Sequence, residues 1–166
     1  MTSMKNFKIF YFVAATIICF AAMAVSCKPE PPQPENISDF TITVNGQEVK
    51  DGQTFNYNTE NDEGLINPQI RITKNTYSPI EATLTVANDA SATNTAVQVC
   101  GWQETSGNCL IVNAGTSRML TQIVSNNIPQ DPLIEIRAYD SNFYAKVTIT
   151  LAYNDKTQTI YWICKN

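Results

Sequence analysis

Chemistry in this chain must be done without histidine, which is absent from all 166 residues. That removes Ser-His-Asp and Cys-His catalysis and His-ligated zinc together, and leaves thiols, carboxylates and aromatic rings. Cys100 and Cys109 bracket an eight-residue insert, Gly101 to Asn108, between two apolar runs. If those runs are neighbouring strands, the two cysteines face each other at disulfide distance. Closing so short a loop would stabilise the fold by about 2–3 kcal/mol and pin its tip. With Cys164 three pairings are open, and Cys100 with Cys109 is the one the spacing favours, which leaves Cys164 as a buried thiol on the last strand. Trp102 and Gln103 then sit in the pinned loop, where a pre-ordered indole suits stacking on a sugar ring or anchoring a protein contact. The competing expectation is an indole that folds back to cap the domain.

The carboxylates make a weaker case for chemistry. Asp131, Glu135 and Asp140 lie close in sequence, and paired carboxylates can hydrolyse glycosides. Yet Asp131 and Asp140 bracket a strand at turn positions, where aspartate is ordinary. No glycine-rich phosphate loop and no nucleophile elbow is present. The expectation is therefore a protein that is not an enzyme, with no catalytic residues, no cofactor and no metal. Glu60, Asp62 and Glu63 could offer oxygens to calcium, but their spacing is not that of an EF-hand, and such a run reads as a solvated loop. Tyr144 and Tyr161, with Thr148, could form an outward aromatic patch; cross-strand pairing within a sheet explains them equally well.

The start of the chain addresses it elsewhere. Lys5 and Lys8 precede a 17-residue apolar run, Ile9 to Val25, and Ala24-Val25-Ser26-Cys27 follows. A basic start, a short apolar core and small residues before a cleavage point make a secretory signal. Its ending on small residues and a cysteine resembles the lipobox of bacterial lipoproteins, with Ala24 standing where Leu or Val is usual. The resemblance implies removal of residues 1–26 and attachment of acyl chains such as palmitate to Cys27, which would make membrane lipid a partner. Two alternatives are an uncleaved anchor, 17 residues being about the lower limit for a span, and ordinary secretory cleavage. Lys28-Pro29-Glu30 and the following acidic Glu35 resemble the export signal of Bacteroidota surface lipoproteins. That implies the outer membrane, with the cell surface expected and the periplasmic face as the alternative. Residues 27–36 hold the cysteine and a proline-rich linker, of which 28–36 carry four prolines and as polyproline II would make a stalk of roughly 28 Å.

Loss of residues 1–26 leaves 140 residues, the length of one domain, and shifts the net charge from −4 to −6. An acidic chain with no basic stretch argues against nucleic acid.

The elements that would position these groups are all strands. Phe40, Ile42 and Val44 alternate with threonines and run into Asn45-Gly46, a strong hairpin signal. Ile70 and Ile72, then Ala82, Leu84 and Val86, then Val97 and Val99 repeat the alternation, as do Arg118 to Val124 and Leu133 to Tyr139. The longest case runs through Phe143, Ala145, Val147, Ile149, Leu151 and Tyr153, and the turn Asn154-Asp155-Lys156 sends the chain back toward Ile160, Trp162 and Cys164. A period of two held over six apolar positions excludes a helix. No apolar pattern of helical period appears past residue 26. The predicted fold over residues 37–166 is all-β: an antiparallel β-sandwich of about 8–10 strands, with the last hairpin as its core. In architecture it resembles the immunoglobulin-like domains of surface lipoproteins. That implies an accessory or protein-interaction module with an outer-membrane partner, or a carbohydrate-binding, adhesin-like one.

Overall fold

Alternating burial along each strand becomes a core because every strand sends its apolar residues to the same side. The computed structural model describes residues 38–102 and 109–166. Cys27, the 1–26 and 27–36 segments and Gln103 lie outside the described residues. Residues 38–166 form one compact unit. Its strands are β1 (Phe40–Val44), β2 (Gln47–Glu48), β3 (Thr54–Asn56), β4 (Leu65–Ile66), β5 (Ile70–Lys74) and β6 (Ile80–Asn88). They continue with β7 (Thr95–Val99), β8 (Leu110–Val112), β9 (Thr116–Val124), β10 (Ile134–Ala138), β11 (Tyr144–Tyr153) and β12 (Lys156–Lys165). The described residues hold twelve strands, against the eight to ten expected, because several pairings involve only two or three residues.

Three sheets result, ordered β2-β1-β5, β4-β10-β7-β8 and β3-β12-β11-β6-β9. The two smaller sheets are linked through the chain entering β10, where Ile72 and Gln130 exchange backbone hydrogen bonds of 2.8 Å. Against them packs the five-stranded sheet. The Phe40 ring of β1 meets the Tyr153 ring of β11 edge-on, with centroids 4.8 Å apart. Inward residues of all three sheets belong to one buried cluster that includes Ile42, Ile72, Leu84, Val99, Ile136 and Trp162. This is the two-layer solution that alternating strands require, since each sheet has a single apolar face to hide.

The last hairpin is central, as its alternation predicts. All ten residues of β11 pair with β12, and Tyr153 to Val147 pair on the other side with β6. Asn154 and Asp155 both have positive φ, the backbone of a two-residue hairpin turn. Asn45 (φ 50°) and Gly46 (φ 80°) do the same between β1 and β2. Trp162 is fully buried beside a stacked Phe55 ring and donates its indole N–H to the Tyr57 carbonyl at 2.9 Å.

Two features depart from the expected pattern. β3 runs parallel to β12, with Tyr161, Trp162 and Ile163 opposite Thr54, Phe55 and Asn56. The remaining strand pairs are antiparallel, so the sandwich is not purely so. Lys74 ends β5 on the same face as Ile70 and Ile72 and is only 1% exposed. Its ammonium donates to the Ser78 carbonyl at 2.8 Å, which ties the turn after β5 to the core. Among the described residues no helix is long and apolar enough to cross a membrane.

Candidate functional site

Register places the two cysteines before any bond between them is considered. Val99 of β7 lies opposite Leu110 of β8, so Cys100 and Cys109 are the next pair along the ladder. They form the expected disulfide, with Cα atoms 4.0 Å apart. Cys100 N–H also donates to the Leu133 carbonyl at 2.9 Å, fixing the mouth of the loop against the chain leading into β10. Cys164 is a free, buried thiol. Burial, with the nearby Glu60 charge as a smaller cause, pushes its pKa up to about 12.

Of the two expectations for Trp102, the structure shows the indole folded back onto the domain and not exposed at the loop tip. It is 4% exposed, belongs to the core cluster, and donates its indole N–H to the Leu120 carbonyl of β9 at 3.0 Å. The physical reason is that β9 is the outer strand of its sheet and carries a carbonyl that an indole can satisfy. Folding inward hides a large apolar ring and spends its one polar hydrogen on that carbonyl. Trp102 is therefore not a stacking platform.

Tyr144 and Tyr161 share the outward face of the five-stranded sheet, but they do not form a patch. Tyr161 lies opposite Thr148, four residues along β11 from Tyr144, a separation of about 13 Å at the rise of a strand. Lys146 stands between, its ammonium 5.9 Å from the Tyr161 centroid. A cation over the ring supports the fold locally and breaks any continuous aromatic surface.

The three carboxylates near the tenth strand are likewise kept apart. Asp131 takes both N–H groups of the Arg71 guanidinium edge, at 2.8 and 2.9 Å. These hydrogen bonds hold its carboxyl below the usual carboxylate range and raise the guanidinium pKa. Glu135 accepts a short hydrogen bond from the Gln98 amide on the neighbouring strand. Asp140 belongs to a turn, where its Oδ1 accepts from the Asn142 N–H and the Ser141 hydroxyl, both at 3.2 Å. In the acidic loop, Asn61 Oδ1 accepts the N–H groups of Glu63 and Leu65 at 2.9 and 3.0 Å, so a side-chain turn shapes the run. Among the described residues no group of three or more acidic or thiol side chains is close enough to hold a metal ion.

What the structure does bring together is a cleft at one end of the sandwich that sequence reasoning missed. Asn58 and Glu60 come from the connection between β3 and β4, Tyr139, Asp140 and Ser141 from the turn between β10 and β11, and Asn166 from beyond β12. Ala138 and Phe143 form the apolar floor, and the open volume is about 610 Å³. Small-ligand clefts fall in the range of about 300–1,000 Å³. Each wall is tied down. Asn58 Nδ2 donates to the Lys165 carbonyl at 3.0 Å, and Asn166 Nδ2 donates to the Ser141 carbonyl at 2.9 Å. Tyr139 N–H donates to the Asn94 carbonyl at 2.9 Å, and Asn94 Nδ2 to the Asn142 carbonyl at 2.7 Å.

These bonds use one of the two N–H groups of each amide and leave the amide oxygens open. Asn58 Oδ1, Asn166 Oδ1, the Glu60 carboxylate and Asp140 Oδ2 make no hydrogen bond to other described residues. Tyr139 is 67% exposed and, among the described residues lining the cleft, is the one exposed aromatic. The available sequence signal was an aromatic immediately before the polar turn Asp140-Ser141-Asn142. A smaller cleft of about 320 Å³ lies beside Asn67, Gln69 and Asp131, but its carboxylate is occupied by Arg71. No known protein family and no curated protein matches the chain.

Proposed function

We propose that this chain is a lipid-anchored, non-catalytic binding module of a bacterial outer membrane, attached through Cys27 and held off the lipid by its proline-rich stalk. The observation that carries this reading is the ending of a secretory-type apolar run on Ala24-Val25-Ser26-Cys27, with Pro29, Pro31, Pro32 and Pro34 directly behind it. Two or three acyl chains at about 0.8 kcal/mol per buried methylene would make attachment almost permanent. The immunoglobulin-like character of the sandwich fits a module that presents a surface to a partner complex. The dispersal of Asp131, Glu135 and Asp140 onto separate partners supports a non-catalytic role.

The test is labelling of cells with radioactive palmitate, followed by recovery of the tagged protein from detergent-solubilised membranes. Label on the wild type and its absence from Cys27→Ala are expected, together with a membrane protein recovered in near-equal amount. An unlabelled wild type retained in the soluble fraction overturns the anchor. Recovery of the labelled protein without companions removes the accessory role and leaves a free-standing binder.

A further inference from the structure

The cleft at the end of the sandwich goes beyond that reading, because its chemistry does not depend on how the protein is anchored. We propose that it is a carbohydrate site selecting uncharged sugars, with Tyr139 as the stacking ring and Asn58, Glu60, Asp140 and Asn166 accepting from sugar hydroxyls. The argument rests on three properties found in one place. An exposed aromatic residue, Tyr139, and the apolar Ala138 and Phe143 line the same cleft, the mixed surface that an amphipathic pyranose ring requires. The polar rim offers open oxygen acceptors, while one N–H of each amide fixes its side chain to the fold. The rim is also held in position from three separate stretches of chain, so little order remains to be imposed when a ligand arrives.

The charge pattern then sets the selectivity. Glu60 and Asp140 line the cleft and, among the described residues, no basic side chain does. Uronic acids and sulfated sugars would bring like charge against two carboxylates, whereas the hydroxyls of a neutral sugar can donate to those oxygens without that repulsion. A cationic ligand would be drawn to the same carboxylates, but a polyamine brings no amphipathic ring to lie against Tyr139 and the apolar lining, and that fit favours the sugar.

The experiment uses the full chain in detergent, applied to immobilised neutral, uronic-acid and sulfated oligosaccharides, with spermidine titrated separately. Retention on neutral glycans is expected. Tyr139→Ala should weaken it by about tenfold or more while Tyr139→Phe keeps it, since the stacking face is the ring itself. Tyr77→Ala serves as control, because Tyr77 is 94% exposed on a turn that does not line the cleft. Glu60→Gln should admit uronic-acid glycans that the wild type rejects. Circular dichroism and melting of each variant separate lost binding from lost fold. Absence of neutral-glycan binding at millimolar concentration overturns the proposal, as does retention unchanged in a folded Tyr139→Ala. Tyr139-dependent binding of spermidine without any sugar binding overturns it in favour of a cation site. These outcomes are independent of palmitate labelling, so the anchor and the cleft stand or fall separately.

Discussion

Trp102 and Leu120 are joined by a single hydrogen bond of 3.0 Å, from the indole N–H of a disulfide-closed loop to a carbonyl on the outer strand of the larger sheet. The bond sets Trp102 on the edge strand of that sheet, where exposed backbone would otherwise invite pairing with another chain. Trp102→Phe keeps most of the ring and removes the donor, and should cost about 1–3 kcal/mol. Trp102→Ala adds a cavity and should cost about 3–5 kcal/mol. Urea denaturation of both variants checks the order. Equal stability of Trp102→Phe and wild type would show that the carbonyl finds water instead.

Cys164 gives a pH dependence with a defined sign. Its thiol is raised to about 12 in the folded protein, above the ordinary thiol value. A raised value means the neutral thiol is favoured by folding. The stability it contributes is complete below the unfolded pKa and is lost as pH rises toward the folded one. Cys164→Val should therefore flatten the loss of stability between about pH 9 and pH 12. In the native state Cys164 should resist a thiol reagent and react only on unfolding, because the reactive species is the thiolate. Rapid reaction without denaturant would sink this account.

Asp131 acts at the other end of the pH scale. The Arg71 hydrogen bonds lower its pKa, so its contribution is present above the unfolded carboxylate value, about pH 4, and disappears as pH falls through the folded one. Asp131→Asn should be less stable than wild type near neutrality, and the gap should close on acidification. High salt should shrink the gap as well, the pair being partly exposed. A gap that persists undiminished at low pH would assign Asp131 some other role.

Lys74 distinguishes packing from charge. Its aliphatic stem lies in the core and only its ammonium has a polar task, the Ser78 carbonyl. Lys74→Met preserves the stem, removes a charge that is costly to bury and should change stability by under about 1.5 kcal/mol. Lys74→Ala empties the space and should cost about 2–5 kcal/mol. Melting temperatures of the two variants decide it, and equal losses would mean that the ammonium matters more than the stem.

Much of this architecture is written in local alternation. Ala145 to Tyr153 and Ile160 to Cys164 name the central hairpin, and Asn45-Gly46 names a turn, because period and turn chemistry are properties of neighbouring residues. Lys74 shows how far that logic reaches. It keeps the parity of Ile70 and Ile72, so its inward direction was readable, although its charge argued otherwise. The pairing of Cys100 with Cys109 was readable for a similar reason, since both flank one short loop. What escaped depends on residues far apart in the chain. Leu65–Ile66 is too short to show a period and is a strand only because Ile136 and Arg137 lie opposite. That Trp102 could fold inward was among the expectations, but its partner, the Leu120 carbonyl of β9, is encoded by nothing around residue 102. The cleft needs three stretches, near residues 58, 139 and 166, that meet only after folding.

The parallel partnership of β3 with β12 also sets a timetable. Within its sheet β3 touches only β12, whose opposing residues lie about a hundred positions later, so Thr54 to Asn56 must wait for Tyr161 to Ile163. A chain threaded across a membrane from its N-terminal end would carry its central hairpin through last. Early segments could collapse in part but not close the sandwich while the rest was still in transit. Pairing so distant slows folding through the cost of bringing far segments together. If the chain is exported as proposed, that delay is useful, because a translocation channel passes loose chain more readily than a finished domain.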